Sequence, residues 1–311
     1  MLFKLLLSFG VGLLMIQIYF KVAKHFGIID NPNKRSSHLE PTLRGGGILF
    51  PLMYILVGIW CLYNDNGYQP ISVWFVLGIF LIAGISFWDD VSTLAPSYRV
   101  LVHLVSVGLL IWQTGIYNFG ILAILIAIIL IIGSINAYNF MDGINGITAM
   151  YSMVVVGSLH YLMPEMKLDY VLVSLLVFAL FNIRKRAVCF SGDVGSVTMA
   201  YIIAFGIAKL MVQTHEIKWI FLLGIYGIDS IITILYRLKR KENIFKPHRT
   251  HLYQYLANEK GMSHISVSAI YAIAQSGLSY VVITGNFVMS LLAFLAATGI
   301  YLFARLKLAL D

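Results

Sequence analysis

Two adjacent carboxylates, Asp89 and Asp90, directly follow an apolar run. An acid there is costly unless it serves a bound group. Neighbouring carboxylates repel, so they favour a bound cation or a shared proton. A third acid, Asp193, sits in Ser191-Gly192-Asp193-Val194-Gly195-Ser196 at the start of another apolar run. It could cap a helix, or lie beside phosphate or metal, for which the flanking glycines leave room. Asn139, Asp142 and Asn145 are spaced three apart and on a helix would share one face. His248 and His251 have the spacing of a metal-binding pair or, with Arg249, of donors to phosphate oxygens; the basic surroundings favour phosphate. Lys34, Arg44 and the run Gly45-Gly46-Gly47 add cations and a place where backbone can approach a ligand. Asp229 lies inside an apolar run and is either functional or paired structurally, for instance with Arg237. Asp193, Asp89 and Asp90 as ligands of a divalent metal, with basic side chains and glycine turns, point to a phosphate or diphosphate substrate. Phosphoryl transfer fits, because it needs charge neutralisation and in-line positioning more than covalent help.

The elements that must hold these residues are membrane helices. The chain is 311 residues long, 59% hydrophobic and 12% charged, where a soluble domain is about a quarter charged. Mean hydropathy is +0.85. Eleven stretches approach the roughly 20 apolar residues of a spanning helix: 2–20, 46–63, 71–88, 99–114, 119–136, 145–163, 168–183, 194–213, 217–236, 266–284 and 287–305. The fold expected is therefore all-α and polytopic, one integral membrane domain over residues 1–311. The first stretch lacks a small-residue cleavage site and reads as an uncleaved helix. With the N-terminus outside and the C-terminus in the cytoplasm, all 22 Lys and Arg residues except Lys4, Lys167, Lys209 and Lys218 fall on the cytoplasmic side. That matches the positive-inside bias. The net charge of +8 thus reports topology, and nucleic acid is not expected as a partner. Cys61 and Cys189 form no disulfide or zinc pattern. His103, His160, His215 and His264 lack a partner pattern and read as packing or interfacial residues. The polar clusters all fall on the inner connections, about 21–45, 89–98, 137–144, 184–193 and 237–265. Loops converging on one membrane face are how such an active site would be assembled.

The order of motifs carries a resemblance. Residues 30–38 read DNPNKRSSH and residues 41–47 PTLRGGG. FWDD follows at 87–90, NAYNFMDGINGIT at 136–148, SGDVGS at 191–196 and HRTH at 248–251. This order, over about residues 30–256, resembles the polyprenyl-phosphate N-acetylhexosamine-1-phosphate transferases, glycosyltransferase family 4. The resemblance implies a bacterial cytoplasmic-membrane enzyme that uses a UDP-amino sugar and undecaprenyl phosphate, requires Mg2+ or Mn2+, and leaves room for a homodimer. It implies Asp193 as metal ligand, and Asp89 and Asp90 as the pair handling metal or lipid phosphate. Asn139, Asp142 and Asn182 would lie at the nucleotide site, and Arg249 and His251 at the donor phosphate or sugar. Asn145 stands where many relatives have Asp, and His248 where N-acetylglucosamine-type relatives often have Asp. Tyr253 and Gln254 replace further histidines. The last loop matches the pentapeptide-bearing type poorly, so an O-antigen, capsule or teichoic-type initiating enzyme is expected. Two other classes share parts of the pattern. A transporter would string polar residues through the spans. A membrane phosphatase would use the same metal chemistry with water or an alcohol as acceptor.

Overall fold

The computed structural model describes residues 2–32, 36–63, 73–243 and 248–309; Lys34 lies outside them. Twelve helices account for nearly all of this: α1 (Leu2–His25), α2 (Leu49–Tyr63), α3 (Val73–Val91), α4 (Pro96–Thr114), α5 (Ile121–Met141), α6 (Ile147–Leu162), α7 (Asp169–Asn182), α8 (Gly192–Thr214), α9 (Gly224–Lys239), α10 (Leu252–Asn258), α11 (His264–Thr284) and α12 (Phe287–Ala309). Among the described residues the only sheet is a two-residue antiparallel pair, β1 (Ile29–Asp30) with β2 (Thr42–Leu43). Seven helical segments are long and apolar enough to cross a membrane, and three shorter helices are also apolar. Each of the eleven apolar stretches is largely helical over its described residues, α4 completing the set.

Several helices run further than hydropathy alone indicates. Periodic apolar character ends before the hydrogen-bonded backbone does, because the last turn of each is polar where it meets other chain segments. α3 continues to Val91, so Asp89 and Asp90 occupy its final turn rather than a loop. α5 continues to Met141 and carries Asn139. α8 begins at Gly192, placing Asp193 in its first turn. α4 begins early, at Pro96, after Ala95 in an extended conformation, as expected before a proline. α10, a short helix in the last polar connection, had no signal in the apolar pattern.

α8 is the axis of the bundle. Its most apolar window is 89% buried, against 11% for α12 and 17% for α1 and α5. α3 packs along it through stacked Phe75 and Phe205 rings, 3.7 Å apart. Tyr201 on α8 donates to the Ser106 carbonyl of α4 at 2.8 Å. The outer helices carry exposed Leu, Ile and Phe side chains, among them Phe80, Ile129 and Ile300. Such a surface suits lipid and not water.

A close backbone contact fixes α8 against the start of α2. A Cβ on Gly47 would stand 2.3 Å from the Gly195 Cα and 2.8 Å from the Ser191 carbonyl oxygen. Backbone cannot yield as a side-chain tip can. Gly47→Ala is expected to cost about 3 kcal/mol or more. Gly84→Ala, which meets nothing within 4 Å, should leave the protein near wild type. Thermal unfolding of the two purified variants in detergent checks this; equal melting temperatures would contradict it.

Candidate active site

The ends of α1, α3, α5 and α7 and the start of α8 meet at one end of the bundle. β2 continues into this junction: Leu43 bridges to Cys189, and the N–H groups of Gly46 and Gly47 donate to the carbonyls of Phe190 and Ser191. Asn182, at the end of α7, accepts from the Gly146 N–H at 2.7 Å and donates to the Cys189 carbonyl at 2.9 Å. It therefore clamps two polar segments together from beneath.

A chain of alternating charges crosses the junction. Asp89 pairs with Arg99 at 2.7 Å, Arg99 with Asp193 at 3.0 Å, Asp193 with Arg44 at 2.9 Å, and Arg44 with Asp90 at 2.6 Å. Asp90 is fully sequestered. Its Oδ1 accepts the Asp193 N–H and its Oδ2 the Val194 N–H, both at 2.9 Å. These are orphan donors at the start of α8, so Asp90 caps a helix distant in sequence. In this arrangement Asp90 serves as a helix cap and lies behind the cavity wall. Asp89 likewise accepts the Leu94 N–H at 2.9 Å and faces Arg99. Asp193 alone of the three lines the open cavity. Gly192 makes the arrangement possible: its φ is +72°, and a Cβ there would lie 2.4 Å from Asp90 Oδ2. Burial alone would lower the Arg44 pKa, but Asp90, Asp193 and Asp30 outweigh it and hold the guanidinium charged.

The cavity is about 470 Å³ and is walled by residues from four of the five polar connections, including Arg44, Asn139, Asp142, Asp193 and His248, together with Asn182 at the end of α7; the connection 89–98 contributes none. Asn139 accepts from Ser196 Oγ at 2.8 Å and faces Asp193 Oδ2 at 3.5 Å. Asp142 follows the last turn of α5 and accepts from Thr148 Oγ1 at 2.6 Å and from Ser191 Oγ. Asn145 does not share their face. The helix ends at Met141, and Asn145 turns its amide to the Arg184 carbonyl at 2.9 Å.

Burial above all pushes Asp142 up from 3.8 to about 6, against the two hydroxyl donors. The folded protein therefore holds this proton more tightly than the unfolded chain. The resulting stabilisation is complete below pH 3.8 and is lost as pH rises through about 6. Without divalent metal, the melting temperature of wild type relative to Asp142→Asn should fall between about pH 4 and 7. A rise over that window would contradict the assignment.

The last polar connection is arranged differently from expectation. Residues 248–250 are not helical, and the His248 and His251 rings stack at 5.0 Å instead of presenting a metal-binding pair. Burial foremost, then His251, pushes His248 down to about 4, so it lines the cavity as a neutral ring. Arg249 pairs with Glu259 at 2.5 Å and does not line the cavity. Asp229 is met by His251 Nδ1 at 2.9 Å, while Arg237 pairs with Glu242. Of the residues not anticipated, Arg99 bridges two of the acids, and His38, Ser191 and His264 line the cavity. Arg99 had a signal: it is the one cation near the acid pair, ten residues after Asp89.

Among the described residues no group of three or more His, Cys, Asp or Glu side chains is placed to hold a metal ion. The donor set still suits a hard cation, because magnesium is usually held by one or two carboxylates plus substrate phosphates. Asp193 offers a carboxylate of that kind at the cavity wall, and a cation there would displace Arg44 or Arg99 from its oxygens; Asn139 turns its NH2 toward Asp193 and its oxygen to Ser196.

Residues 72–212 match the family described as Glycosyl transferase family 4. The chain is 25% identical over 301 residues to a probable undecaprenyl-phosphate N-acetylglucosaminyl 1-phosphate transferase of Bacillus subtilis, covering 87% of this chain and 82% of that protein. It is 24% identical to undecaprenyl-phosphate alpha-N-acetylglucosaminyl 1-phosphate transferase of Salmonella typhi, covering 86% and 79%. It is 26% identical to phospho-N-acetylmuramoyl-pentapeptide-transferase of Thermotoga neapolitana, covering 76% and 83%.

Proposed function

We propose that the chain is a glycosyl transferase family 4 enzyme, as the match over residues 72–212 and the similarity to its relatives support, and that it transfers an N-acetylhexosamine-1-phosphate, or a deoxy-aminosugar-1-phosphate, from a UDP-sugar to undecaprenyl phosphate. UMP is released, and the lipid product initiates an O-antigen, capsule or related envelope glycan. The protein then crosses the bacterial cytoplasmic membrane eleven times with its cavity facing the cytoplasm. The observation that carries this reading is the placement of Asp193: held between Arg44 and Arg99, it lines a polar cavity at the end of an apolar bundle. A water-borne nucleotide and a lipid-borne phosphate can both reach such a place.

In the reaction, an oxygen of the lipid phosphate attacks the β-phosphorus of the donor. The bond from that phosphorus to the bridging oxygen breaks, and UMP departs with the oxygen. The lipid phosphate is largely ionised near pH 7, its second pKa being about 6, so no side chain need deprotonate it. Arg44 and Arg99 are the cations that screen approaching anions from the acids. Asp142 and Asn139 shape the donor end of the cavity. Asp193 would hold a magnesium or manganese ion, which when bound supplies positive charge to the diphosphate. His248, neutral, and Gln254 line the part of the cavity supplied by the last connection, and donor choice is assigned to this wall.

Purified protein with undecaprenyl phosphate, magnesium and a panel of UDP-amino sugars should release UMP only when lipid and one donor are both present. Release without the lipid would favour a hydrolase. No release from folded protein with any donor would remove the proposal.

A further inference from the structure

Asp229 lies within a membrane helix and is fully buried, yet it does not line the cavity. Its carboxylate collects donors from four segments. Oδ1 accepts from His251 Nδ1 at 2.9 Å, Thr233 Oγ1 at 3.2 Å, Tyr301 OH at 3.1 Å and the Leu252 N–H at 3.3 Å. Oδ2 accepts from Tyr271 OH at 2.5 Å. Arg305 braces the same group, donating to Thr233 Oγ1, Tyr301 OH and the Thr250 carbonyl, each at 3.0 Å. α9, α11, α12 and the last polar connection thus converge on one carboxylate, and its position is overdetermined.

The far side of the histidine is the opposite case. His251 is 2% exposed, and its Nε2 is a buried polar atom with no hydrogen-bond partner. Such an atom costs free energy unless something supplies the missing partner. The His251 ring stacks on His248, whose side chain lines the cavity, and Phe140 of α5 lies against both rings. His251 therefore sits one ring behind the cavity wall, with an unmet polar atom at its edge.

We propose that Asp229 is a positioning residue: by engaging His251 Nδ1 it fixes the ring so that Nε2 is the atom presented to a phosphoryl oxygen of the substrate. This rests on the transferase reading above. A carboxylate on one ring nitrogen sets the tautomer and orientation of the other and stabilises the imidazolium that an anion prefers.

Two substitutions at His251 separate this from a purely structural tie. The amide of Asn reproduces the Nδ1 donor toward Asp229 and leaves nothing at Nε2. The amide of Gln reaches the Nε2 position and abandons Asp229. With wild type turning over in the same assay, His251→Asn should lose about a hundredfold in kcat with the donor KM little changed. His251→Gln should turn over about ten times faster than His251→Asn. Asp229→Asn should lower kcat in the wild-type background and cause no further loss in the His251→Asn background. Melting temperatures confirm that each variant is folded. Full activity of His251→Asn with loss in His251→Gln would overturn the inference while leaving the transferase reading intact. Absence of UMP release by wild type would remove both.

Discussion

Asp193→Asn is expected to lower turnover by about a thousandfold while the protein stays folded. The magnitude is that of removing one well-placed electrostatic group from a phosphoryl or acyl transfer site. The separation from stability follows from which atoms do what. The start of α8 is held through the backbone N–H groups of Asp193 and Val194 on Asp90, not through the Asp193 side chain. The substitution keeps those bonds and the side-chain shape. It removes the charge facing Arg44 and Arg99 and the carboxylate that would hold a metal. UMP release assays with parallel thermal melts would check this. Near-wild-type turnover would show that the charge on Asp193 is not used.

Asp90→Asn should behave differently, losing stability and activity together. The Asp90 carboxylate is completely buried, and its three partners are all donors: Arg44 Nε, the Asp193 N–H and the Val194 N–H. An amide in its place points an NH2 at one of those donors and leaves the partly buried Arg44 short of a counter-charge. Breaking one side of such a buried pair typically costs about 3–5 kcal/mol. The melting temperature should therefore drop well below that of Asp193→Asn. Equal stability of the two variants would mean that Asp90 does not secure α8.

Much of this was legible in the residues. The apolar stretches are helical over their described residues, and most of the polar motifs contribute to one cavity. Both depend on local patterning, which hydropathy records. What escaped depends on partners far apart in the chain. The Arg44–Asp193 pair spans 149 residues, and the Asp90 contacts with α8 span 103 and 104. Nothing in the neighbourhood of Asp90 says that it will cap α8 and leave the cavity to Asp193. Asp229 was recognisable as unusual, but its partner His251 lies on a segment with no helical periodicity, and Arg237 was the nearer candidate in sequence. Arg99 was read as an ordinary cytoplasmic charge; its nearness in sequence to the acid pair set it apart, but its bridge to Asp193 appears only in the fold.

The central claim is that a sugar and its phosphate move together onto a lipid phosphate. It is tested most directly by following the β-phosphorus of the donor. With a UDP-amino sugar radiolabelled at that atom, undecaprenyl phosphate and magnesium, the label should pass into the organic-extractable lipid while unlabelled UMP appears in the aqueous phase in equal amount. Label left in the water as UDP, with the sugar alone on the lipid, would contradict the account.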